Sequence, residues 1–394
     1  MAKLKLNDLS MQGKRVLMRV DFNVPLRSDG SITDDSRIRA ALPSIRRILE
    51  QKPAILILMS HLGRPRGVSN HKESLAPCAK RLSELLGQPV AMAPDSIGTA
   101  VEALASHAAP GSILLLENLR FHPGEEDPEK EPEFLEKLAK LGDVYVNDAF
   151  GSAHRAHAST ALIAALFPGR AAMGQLIEKE LSFLAPLLEN PKKPFHVIIG
   201  GAKVSSKAGV LKNLLPHIDA LYIGGGMAFP FLKAKGIPVG SSLCANEDVP
   251  IAEEILSVAK KNSLPIYLPI DIAGSNKEIT SLFSDGIPDG WIGMDIGPET
   301  VDAWEEKLKS AATIFWNGPV GVFEKPPYHI GTRDLATFLA VSRATVIVGG
   351  GDSIAAIEGL GLGSRFTHLS TGGGASLEFL EFGHLPGIDA LSDK

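Results

Sequence analysis

Two glycine-rich segments in the second half of the chain have the composition of anion-binding turns. Residues 349–353 (GGGDS) and 371–374 (TGGG) each follow a short run of strand-forming residues and precede a helical pattern. Backbone N–H groups at a helix N-terminus lack intrahelical partners, and the helix dipole favours negative charge there. One glycine cluster often serves only the turn itself, but four clusters follow strand-like runs in this half of the chain. We therefore predict that this half binds phosphate.

Two lysines and one aspartate accompany these glycines. Lys203 and Lys207 are four residues apart in GGAKVSSKAG, at a predicted helix start, which would place them on one helix face. They are either a solvated pair or phosphate ligands, and we favour phosphate because cations at a helix N-terminus are unfavourable unless an anion is present. Asp352 follows three glycines, where it is either a helix N-cap or, beside phosphates, a ligand of Mg²⁺.

The arginines are concentrated in the first half of the chain. Of the 16 arginines, 13 lie at or before Arg170. The planar guanidinium pairs with phosphate or carboxylate through two hydrogen bonds, so this bias indicates an anionic partner, although any single arginine can equally be a solvated surface residue. His61 is followed closely by Gly63 and Arg64 at the end of an apolar run. A lone histidine is more often structural, but this setting favours a functional role.

Strand-like and helix-like segments alternate along the chain. The strand-like runs are residues 15–23, 54–62, 89–93, 112–119, 143–150, 195–200, 220–223, 265–272, 313–316 and 345–348. Amphipathic helical patterns cover, among others, residues 35–51, 74–86, 131–141 and 250–262. Near-continuous apolar strands that alternate with helices are typical of parallel sheets covered on both faces. We therefore expect an α/β fold of two doubly wound, Rossmann-like domains.

Most of the predicted strands end in glycine, polar or charged residues. Examples are SHLGR at 60–64, NDAFG at 147–151, GGAK at 200–203 and WNGP at 316–319. Open parallel sheets bind ligands beyond the carboxyl ends of their strands, so each half has a predicted ligand surface. Between the halves, residues 175–189 form one amphipathic pattern that stops at NPKKP, which cannot continue a helix. We expect a connecting helix there.

Composition limits the class of protein. A length of 394 residues predicts two or three domains, and 44% hydrophobic with 22% charged residues is typical of a globular protein. The net charge of −5 argues against non-specific nucleic-acid binding. The first residues lack the apolar core of a signal peptide, and no apolar run is long enough to span a bilayer. We expect a cytoplasmic protein with no nucleic-acid or membrane partner.

Several common sites are not indicated. Cys78 and Cys244 lie far apart with no Cys/His spacing around them, which predicts neither a disulfide framework nor a zinc site. The sequence has no GxxxxGK[ST] P-loop and no GxGxxG that opens a βαβ unit with an acidic residue further on. No Ser-His-Asp or Cys-His combination stands out either.

Taken together, the motifs resemble the phosphoglycerate kinase family from end to end. They are RVDFNVP at 19–25, SHLGRP at 60–65, LENLRFHPGE at 116–125, NDAFGSAHRAHAS at 147–159, GGAKVSSK at 200–207, GGGMAFPFLK at 224–233, MDIGPET at 294–300, WNGPVGVFE at 316–324, GGGDS at 349–353 and STGGGASLEFL at 370–380. The sequence departs from the family pattern at Pro230, where threonine is common, at Gln175, and at Phe382-Gly383, where Gly-Lys is usual.

The resemblance implies a reaction and assigns one ligand to each half of the chain. The reaction is reversible phosphoryl transfer between 1,3-bisphosphoglycerate and MgADP, giving 3-phosphoglycerate and MgATP in glycolysis, by in-line transfer after domain closure. Residues 1–174, with a tail of about 380–394 packing back, would bind 3-phosphoglycerate. Residues 175–190 would form the connecting helix, and residues 191–379 would bind the nucleotide. By family analogy the protein is a monomer.

The resemblance also implies roles for individual residues. The substrate-binding set is Asp21, Phe22, Asn23, Arg37, His61, Leu62, Gly63, Arg64, Arg120 and Arg155. The nucleotide-binding set is Gly201, Lys203, Lys207, Gly225, Gly293, Asn317, Glu324, Gly350, Gly351, Asp352 and Ser353. The groups nearest the chemistry are Arg37, Lys203, Lys207 and the backbone N–H groups of Gly372 and Gly373. Asp352 would bind Mg²⁺ together with the nucleotide phosphates.

Two other classes of function stay open from the sequence. One is a nucleotide-linked dehydrogenase on a similar fold, and the other is a non-enzymatic binding protein. A kinase predicts ADP and an acyl phosphate from MgATP and 3-phosphoglycerate. A binding protein predicts that replacing Arg37 or Lys203 leaves function intact.

Overall fold

The computed structural model describes residues 2–276, 278–281 and 286–394, which divide into two compact units. The first unit runs to Ser182 and also contains His384–Lys394, and the second unit is Phe183–Gly383. Among the described residues, every helix is too short or too polar to traverse a lipid bilayer.

The first unit is built on a six-stranded sheet with the order β3-β4-β2-β1-β5-β6. Every neighbouring pair of strands is parallel. The strands are β1 (Arg15–Arg19), β2 (Ile55–Met59), β3 (Val90–Met92), β4 (Ser112–Leu115), β5 (Val144–Asn147) and β6 (Ala171–Met173). All five residues of β2 are buried, which is the burial expected of a central parallel strand covered on both faces.

Helices and the end of the chain complete the first unit. The helices are α1 (Ser36–Glu50), α2 (Ala76–Leu86), α3 (Thr99–Ser106), α4 (Phe134–Ala139) and, near the C-terminus, α13 (Pro386–Asp389). The apolar side of α1, with Ile38, Ile45 and Ile48, joins the core formed by β1 and β2. The Asn147 side-chain amide donates to the Gly387 carbonyl at 3.0 Å, which ties the C-terminal segment to the end of β5.

A single helix, α5 (Gln175–Glu189), covers the predicted connection. The buried Asp148 carboxylate, just after β5, accepts hydrogen bonds from the Leu176 N–H at 2.9 Å and the Ile177 N–H at 3.3 Å in the first turn of α5. Burial raises the pKa of Asp148 to about 7 although these bonds oppose the rise.

The second unit repeats the architecture of the first. Its six-stranded sheet has the order β15-β14-β13-β7-β8-β9 and is parallel throughout. These strands are β7 (Phe195–Ile199), β8 (Ala220–Ile223), β9 (Ile266–Tyr267), β13 (Thr313–Asn317), β14 (Thr345–Gly349) and β15 (His368–Leu369). The helices are α6 (Ala208–Leu214), α7 (Ala228–Ala234), α8 (Asp248–Lys261), α9 (Pro298–Leu308), α10 (Ile330–Leu339), α11 (Gly351–Gly359) and α12 (Gly374–Phe382). The predicted α/β class with two parallel, doubly wound sheets is confirmed.

An antiparallel three-stranded sheet in the second unit was not predicted. It consists of β10 (Asp271–Gly274), β11 (Ile279–Ser281) and β12 (Gly293–Ile296), with β10 in the middle. The prediction of one strand over residues 265–272 is therefore wrong. The run divides into β9 of the large sheet and β10 of the small sheet, because the chain changes sheets between Tyr267 and Asp271.

Other predicted boundaries were too long. The strand predicted over 112–119 ends at Leu115, where the chain turns into a 3-10 helix at Leu119–Phe121. The helix predicted over 131–141 is only α4, which lacks three residues at its start and two at its end. Both cysteines are free, as predicted, with Cys78 buried.

Candidate active site

The charged and polar residues predicted to bind substrate lie near the carboxyl ends of strands in the first unit. Asp21 and Asn23 follow β1, His61 and Arg64 follow β2, and Arg155 follows β5. Arg120 lies in the 3-10 turn after β4, and Arg37 is in the first turn of α1. Since all of these strands are parallel, their carboxyl ends share one edge of the sheet.

Asp21 and Arg37 form the central ion pair of this edge. Arg37 Nη1 lies 2.7 Å from Asp21 Oδ2, and the Asp21 carboxylate is buried. Burial alone would raise the pKa of Asp21, but neighbouring positive charge, Arg37 foremost, outweighs burial and lowers the pKa. Asp21 is therefore an ionised acceptor that holds the Arg37 guanidinium in place.

A chain of hydrogen bonds connects this pair to Arg120. The Asn23 N–H donates to Asp21 Oδ1 at 3.2 Å, and Asn23 Oδ1 accepts from the Gly63 N–H at 3.0 Å. The Gly63 carbonyl in turn accepts from Arg120 Nη1 at 2.8 Å. Gly63 has a φ of +64°, and a Cβ there would lie 2.1 Å from Glu73 Oε1, so the turn requires glycine. The predicted residues Asp21, Asn23, Gly63 and Arg120 are thus brought together.

His61 is buried and neutral. Burial, together with the nearby arginines, outweighs the effect of Asp21 and lowers the pKa of His61 well below its usual value. Its Nδ1 lies 3.0 Å from Arg19 Nη2, and because a guanidinium can only donate, Nδ1 must accept. The proton of the neutral ring is therefore on Nε2.

The sequence did not single out the residues that support His61. Arg19 is fully buried and also donates through Nε to Ser159 Oγ at 2.8 Å, and Ser159 donates to Glu125 Oε1 at 2.6 Å. Arg19, Glu125 and Ser159 all lie within the quoted motifs, but no local spacing links three positions so far apart.

The remaining predicted residues of this unit differ in exposure. The side chains of Phe22 and Leu62 belong to the hydrophobic core, and their N–H groups already donate to Ser60 Oγ and Asn118 Oδ1. Arg64 and Arg155 have exposed side chains.

The second unit contains a cavity of about 290 Å³ with a glycine-rich lining. Five predicted nucleotide residues line it: Gly201, Gly225, Gly293, Glu324 and Asp352. A Cβ at residue 293 would lie 2.5 Å from the Phe229 ring, and one at residue 225 would lie 2.9 Å from the Gly201 carbonyl oxygen. Glycine at these positions keeps the cavity wide enough for a flat ligand.

Some residues of the cavity wall were not predicted individually. Phe229, Leu243, Ile272, Met294 and Val322 supply apolar surface. Asp295 also lines the cavity, accepts from the Gly331 N–H at 2.8 Å, and has its pKa raised to about 7, chiefly by burial. Apolar residues of this kind look like ordinary core positions in sequence, so no signal distinguished them.

Lys207 is a half-buried cation of the second unit. Its Nζ donates to the Gly200 carbonyl at 2.7 Å and the Asn317 carbonyl at 3.2 Å, at the carboxyl ends of β7 and β13. Burial lowers the pKa of Lys207 to about 8, with Asp352 acting in the opposite direction. Its neighbour Asn317 is buried, and the Asn317 side-chain Nδ2 has no hydrogen-bond partner among the described residues.

Lys203 differs from Lys207. The prediction that the two lysines share one face at a helix start is wrong: Lys203 precedes a 3-10 turn at Ser205–Lys207, and α6 begins only at Ala208. Lys203 is exposed, and within the described part of the chain its side chain forms no ion pair.

The segment 349–353 forms the N-terminus of α11. Gly350 is the N-cap, with a φ of +92°, so Asp352 lies in the first turn and is not the N-cap. Ser353 is buried, and its Oγ accepts from the Gly318 N–H at 2.7 Å. The first-turn N–H groups and Asp352 therefore lie together at the edge of the cavity.

The segment 371–374 forms the N-terminus of α12. Gly373 is the N-cap, with φ +53° and ψ −113°, a conformation available mainly to glycine. The Gly372 N–H donates to Ser370 Oγ at 3.2 Å, whereas the Gly373 N–H has no backbone or side-chain acceptor within the described residues. Of the two predicted N–H groups, Gly373 is the one left for a ligand.

Comparison with known proteins gives the family. The model of the family described as phosphoglycerate kinase matches residues 6–383. The chain belongs to the phosphoglycerate kinase family. It is 50% identical over 401 residues to the phosphoglycerate kinase of Moorella thermoacetica, with 100% of both chains covered, and 52% identical over 398 residues to that of Dictyoglomus turgidum, with 99% and 98% covered.

Solved structures of this family have the same fold. The structure of phosphoglycerate kinase from Coxiella burnetii has a TM-score of 0.86 at 39% identity, and that from Pyrococcus horikoshii OT3 has 0.85 at 35% identity. Each comparison covers 98% of both chains. The chain is thus a kinase of the phosphotransferase class, as predicted.

The departures from the family pattern are accommodated locally. Pro230 lies in the first turn of α7, where its missing N–H would have no intrahelical partner in any case. Gln175 begins α5, and its N–H donates to Ser44 Oγ at 2.7 Å. Phe382 ends α12 with an exposed side chain, and Gly383 follows it in the left-handed conformation of a helix C-terminus.

Proposed function

We propose that this kinase transfers a phosphoryl group reversibly between 1,3-bisphosphoglycerate and MgADP, producing 3-phosphoglycerate and MgATP in glycolysis. The observation that supports this proposal is that the two units have different binding surfaces, each suited to one of the two substrates. A basic edge in the first unit suits an anionic sugar acid, and a glycine-lined cavity in the second unit ends at a helix N-terminus suited to a nucleotide.

In this proposal the first unit binds 3-phosphoglycerate. Asp21 accepts a hydrogen bond from the hydroxyl of 3-phosphoglycerate, and the Asn23 side-chain amide donates one to it. The non-reacting phosphate is held by the Nε2–H of His61 and by the side chains of Arg64, Arg120 and Arg155. A neutral His61 donates one directed hydrogen bond, while the arginines supply the charge. Phe22, Leu62 and Gly63 support this site through backbone hydrogen bonds to Ser60, Asn118, Asn23 and Arg120.

The second unit binds the nucleotide. Adenine lies against Gly201, Gly225 and Gly293, and Glu324 accepts from the ribose hydroxyls. The phosphates are held by Lys207, the amide of Asn317 and the first turn of α11 formed by Gly350, Gly351, Asp352 and Ser353. An amide nitrogen without a partner at Asn317 is the kind of group that a phosphate oxygen satisfies.

The acidic residues of the second unit are compatible with Mg²⁺ that binds together with the nucleotide phosphates. No cluster of three or more His, Cys, Asp or Glu residues able to hold a metal ion occurs in the described part of the chain. Asp352 lies in the first turn of α11, where we place the phosphates, and this suits Mg²⁺ because that ion commonly takes one or two carboxylates, phosphate oxygens and water. Bound Mg²⁺ would supply positive charge to the phosphate oxygens.

The chemistry needs positioning and positive charge. The attacking carboxylate of 3-phosphoglycerate is ionised at neutral pH, since ordinary carboxyl pKa values lie near about 4. No general base is required. Arg37, Lys203, Lys207 and the Gly373 N–H, with Gly372 shaping the turn, would stabilise charge on the transferring group. Because these groups belong to both units, transfer requires domain closure, which also protects the acyl phosphate from water.

By analogy with the family, we propose that the enzyme acts as a monomer in the cytoplasm on small-molecule substrates. Sedimentation equilibrium with and without substrates measures the oligomeric state. A stable dimer would contradict this part of the proposal.

A direct assay tests the function. The protein is incubated with MgATP and 3-phosphoglycerate, ADP is measured, and the acyl phosphate is trapped with hydroxylamine. ADP and a hydroxamate are expected. Absence of both would exclude the kinase reaction, and NAD⁺ reduction in their place would favour the dehydrogenase alternative.

A pair of variants on α1 tests the role of Arg37 in this assay. Arg37→Ala should lower kcat by about 10²-fold or more, because it removes charge near the transferring group. Arg39→Ala is the matched control, because Arg39 lies in the same turn but pairs with Asp35. An unchanged kcat in Arg37→Ala would contradict the assignment of Arg37 to the transferring group.

A further inference from the structure

The imidazole of His122 lies between two carboxylates. Its Nε2 is 2.7 Å from Asp95 Oδ1, and its Nδ1 is 2.9 Å from Glu131 Oε1. The ring stacks on Phe134 with 5.0 Å between centroids, and its side chain is 16% exposed. The proposed function gives His122 no role.

This geometry specifies the charge of the ring. Ionised carboxylates only accept hydrogen bonds, so both ring nitrogens must carry protons, which makes His122 an imidazolium. Burial acts to lower the pKa of His122, but the hydrogen bonds and charges of Asp95 and Glu131 outweigh burial and raise the pKa. These two are the charged groups that face the ring among the described residues, one from the segment after β3 and one from the segment before α4.

His122 is also the junction of two consecutive 3-10 turns, Leu119–Phe121 and Pro123–Glu125. Its N–H donates to the Leu119 carbonyl at 3.1 Å, and its carbonyl accepts from the Glu125 N–H at 3.2 Å. One turn carries Arg120. The residue after the other turn, Glu126, lies 3.1 Å from Arg120 Nε. Any displacement of His122 therefore changes both sides of the Arg120 environment.

Asp95 is itself hydrogen-bonded to its neighbours in the first unit. Asp95 Oδ1 also accepts from the Ser96 N–H at 2.6 Å, and the Asp95 carbonyl accepts from the Glu117 N–H at 3.3 Å, just after β4. The ring is thus connected to the sheet through one nitrogen and to the α4 segment through the other.

We propose that His122, as an imidazolium, is a positioning residue that holds the turn carrying Arg120 in the geometry that binds the phosphate of 3-phosphoglycerate. The inference rests on the proposed function, which assigns that phosphate to Arg120. Loss of the ring proton removes one of the two bonds, and the turn then loses its connection to one side of the scaffold.

Steady-state kinetics of the full-length enzyme test the inference. His122→Gln should raise KM for 3-phosphoglycerate about tenfold, the factor expected for one charge-assisted hydrogen bond, with kcat and KM for MgATP within about twofold. His107→Gln is the control, because His107 is exposed and its Nδ1 lies near the Ala103 carbonyl and Ser106 Oγ of the adjoining helix α3.

A pH series gives a readout that a purely structural role would not produce. In the wild type, KM for 3-phosphoglycerate should rise on the alkaline side as His122 loses its proton, and this rise should be absent in His122→Gln. Asp95→Asn should move the rise to lower pH, and NMR titration of the His122 ring should show the same shift. Asparagine retains an oxygen for the Ser96 N–H, so this variant tests the inference even if His122→Gln does not fold.

The outcomes separate the two proposals. If the wild type forms no ADP from MgATP and 3-phosphoglycerate, the proposed function fails before any variant is compared, and the inference fails with it. If the wild type is active but His122→Gln leaves KM for 3-phosphoglycerate unchanged, or changes both KM values and kcat alike, the positioning role alone is overturned.

Discussion

At the scale of single residues, Lys207 is a predicted phosphate ligand whose pKa is shifted by its surroundings. Its amine has two backbone carbonyls as partners, and burial lowers its pKa to about 8. Below that pH the amine is protonated and can pair with nucleotide phosphates, and above it the amine is neutral. We predict that the Kd for ADP rises about tenfold as the pH is raised from about 7 to about 9, since one ionic contact is lost.

Isothermal titration with MgADP across that range measures the effect. Lys207→Arg is the control, because a guanidinium stays charged and its Kd should vary little over the same pH values. A flat Kd in the wild type would contradict the assignment of Lys207 to the phosphates.

The same scale shows what the sequence could not predict. The sequence shows that Lys203 and Lys207 are lysines four residues apart, but it does not show how buried each one is. Burial is what distinguishes them, because Lys203 is exposed whereas burial lowers the pKa of Lys207. Arg19 and Ser159 contact each other across 140 residues of sequence. Hydrogen-bond partners this far apart follow from the topology of the sheet, so no local pattern contains them.

At the scale of elements, strands were easier to predict than the connections between them. The longer apolar runs became β1, β2, β7, β13 and β14, because each contains at least three consecutive apolar residues, a pattern typical of a buried parallel strand. The strands β9, β11 and β15 have two or three residues each, and such lengths give no periodicity. Ligand residues could still be predicted, because glycines and charged residues mark the strand ends regardless of strand length.

One turn allows a matched test at this scale. Gly373 has φ +53°, whereas Gly374, the first residue of α12, has no positive φ, and a Cβ at either position would meet nothing within 4 Å. We predict that Gly373→Ala costs about 1–3 kcal/mol of strain or reorients its N–H, with kcat falling at least about tenfold. Gly374→Ala should leave kcat near wild type, because alanine suits a helix.

Thermal unfolding and kcat of the two variants measure this difference. Equal effects of Gly373→Ala and Gly374→Ala would show that the positive φ of residue 373 is not the feature that matters. Crowding cannot explain a difference between them, since both positions have open space.

At the scale of the whole molecule, the two end segments of the chain pair with each other within the first unit. Lys3 forms an isolated antiparallel bridge with Asp393, and the Leu4 N–H donates to the Ser392 carbonyl at 2.8 Å. Composition and periodicity carry no information about such a pairing, because neither end segment has a strand pattern. Only the family resemblance implied that the tail packs back.

The division into two units, each with its own ligand chemistry, leads to the last prediction. If the first unit binds 3-phosphoglycerate and the second binds the nucleotide, each ligand added alone should protect backbone amides of one unit. Hydrogen–deuterium exchange of the intact chain should show MgADP slowing exchange in residues 200–207 and 349–374 and 3-phosphoglycerate slowing it in residues 61–67 and 119–126. Arg37→Ala should weaken the protection by 3-phosphoglycerate and leave the protection by MgADP unchanged, because Arg37 belongs to the first unit. Protection of residues 119–126 by MgADP alone would contradict this division of binding.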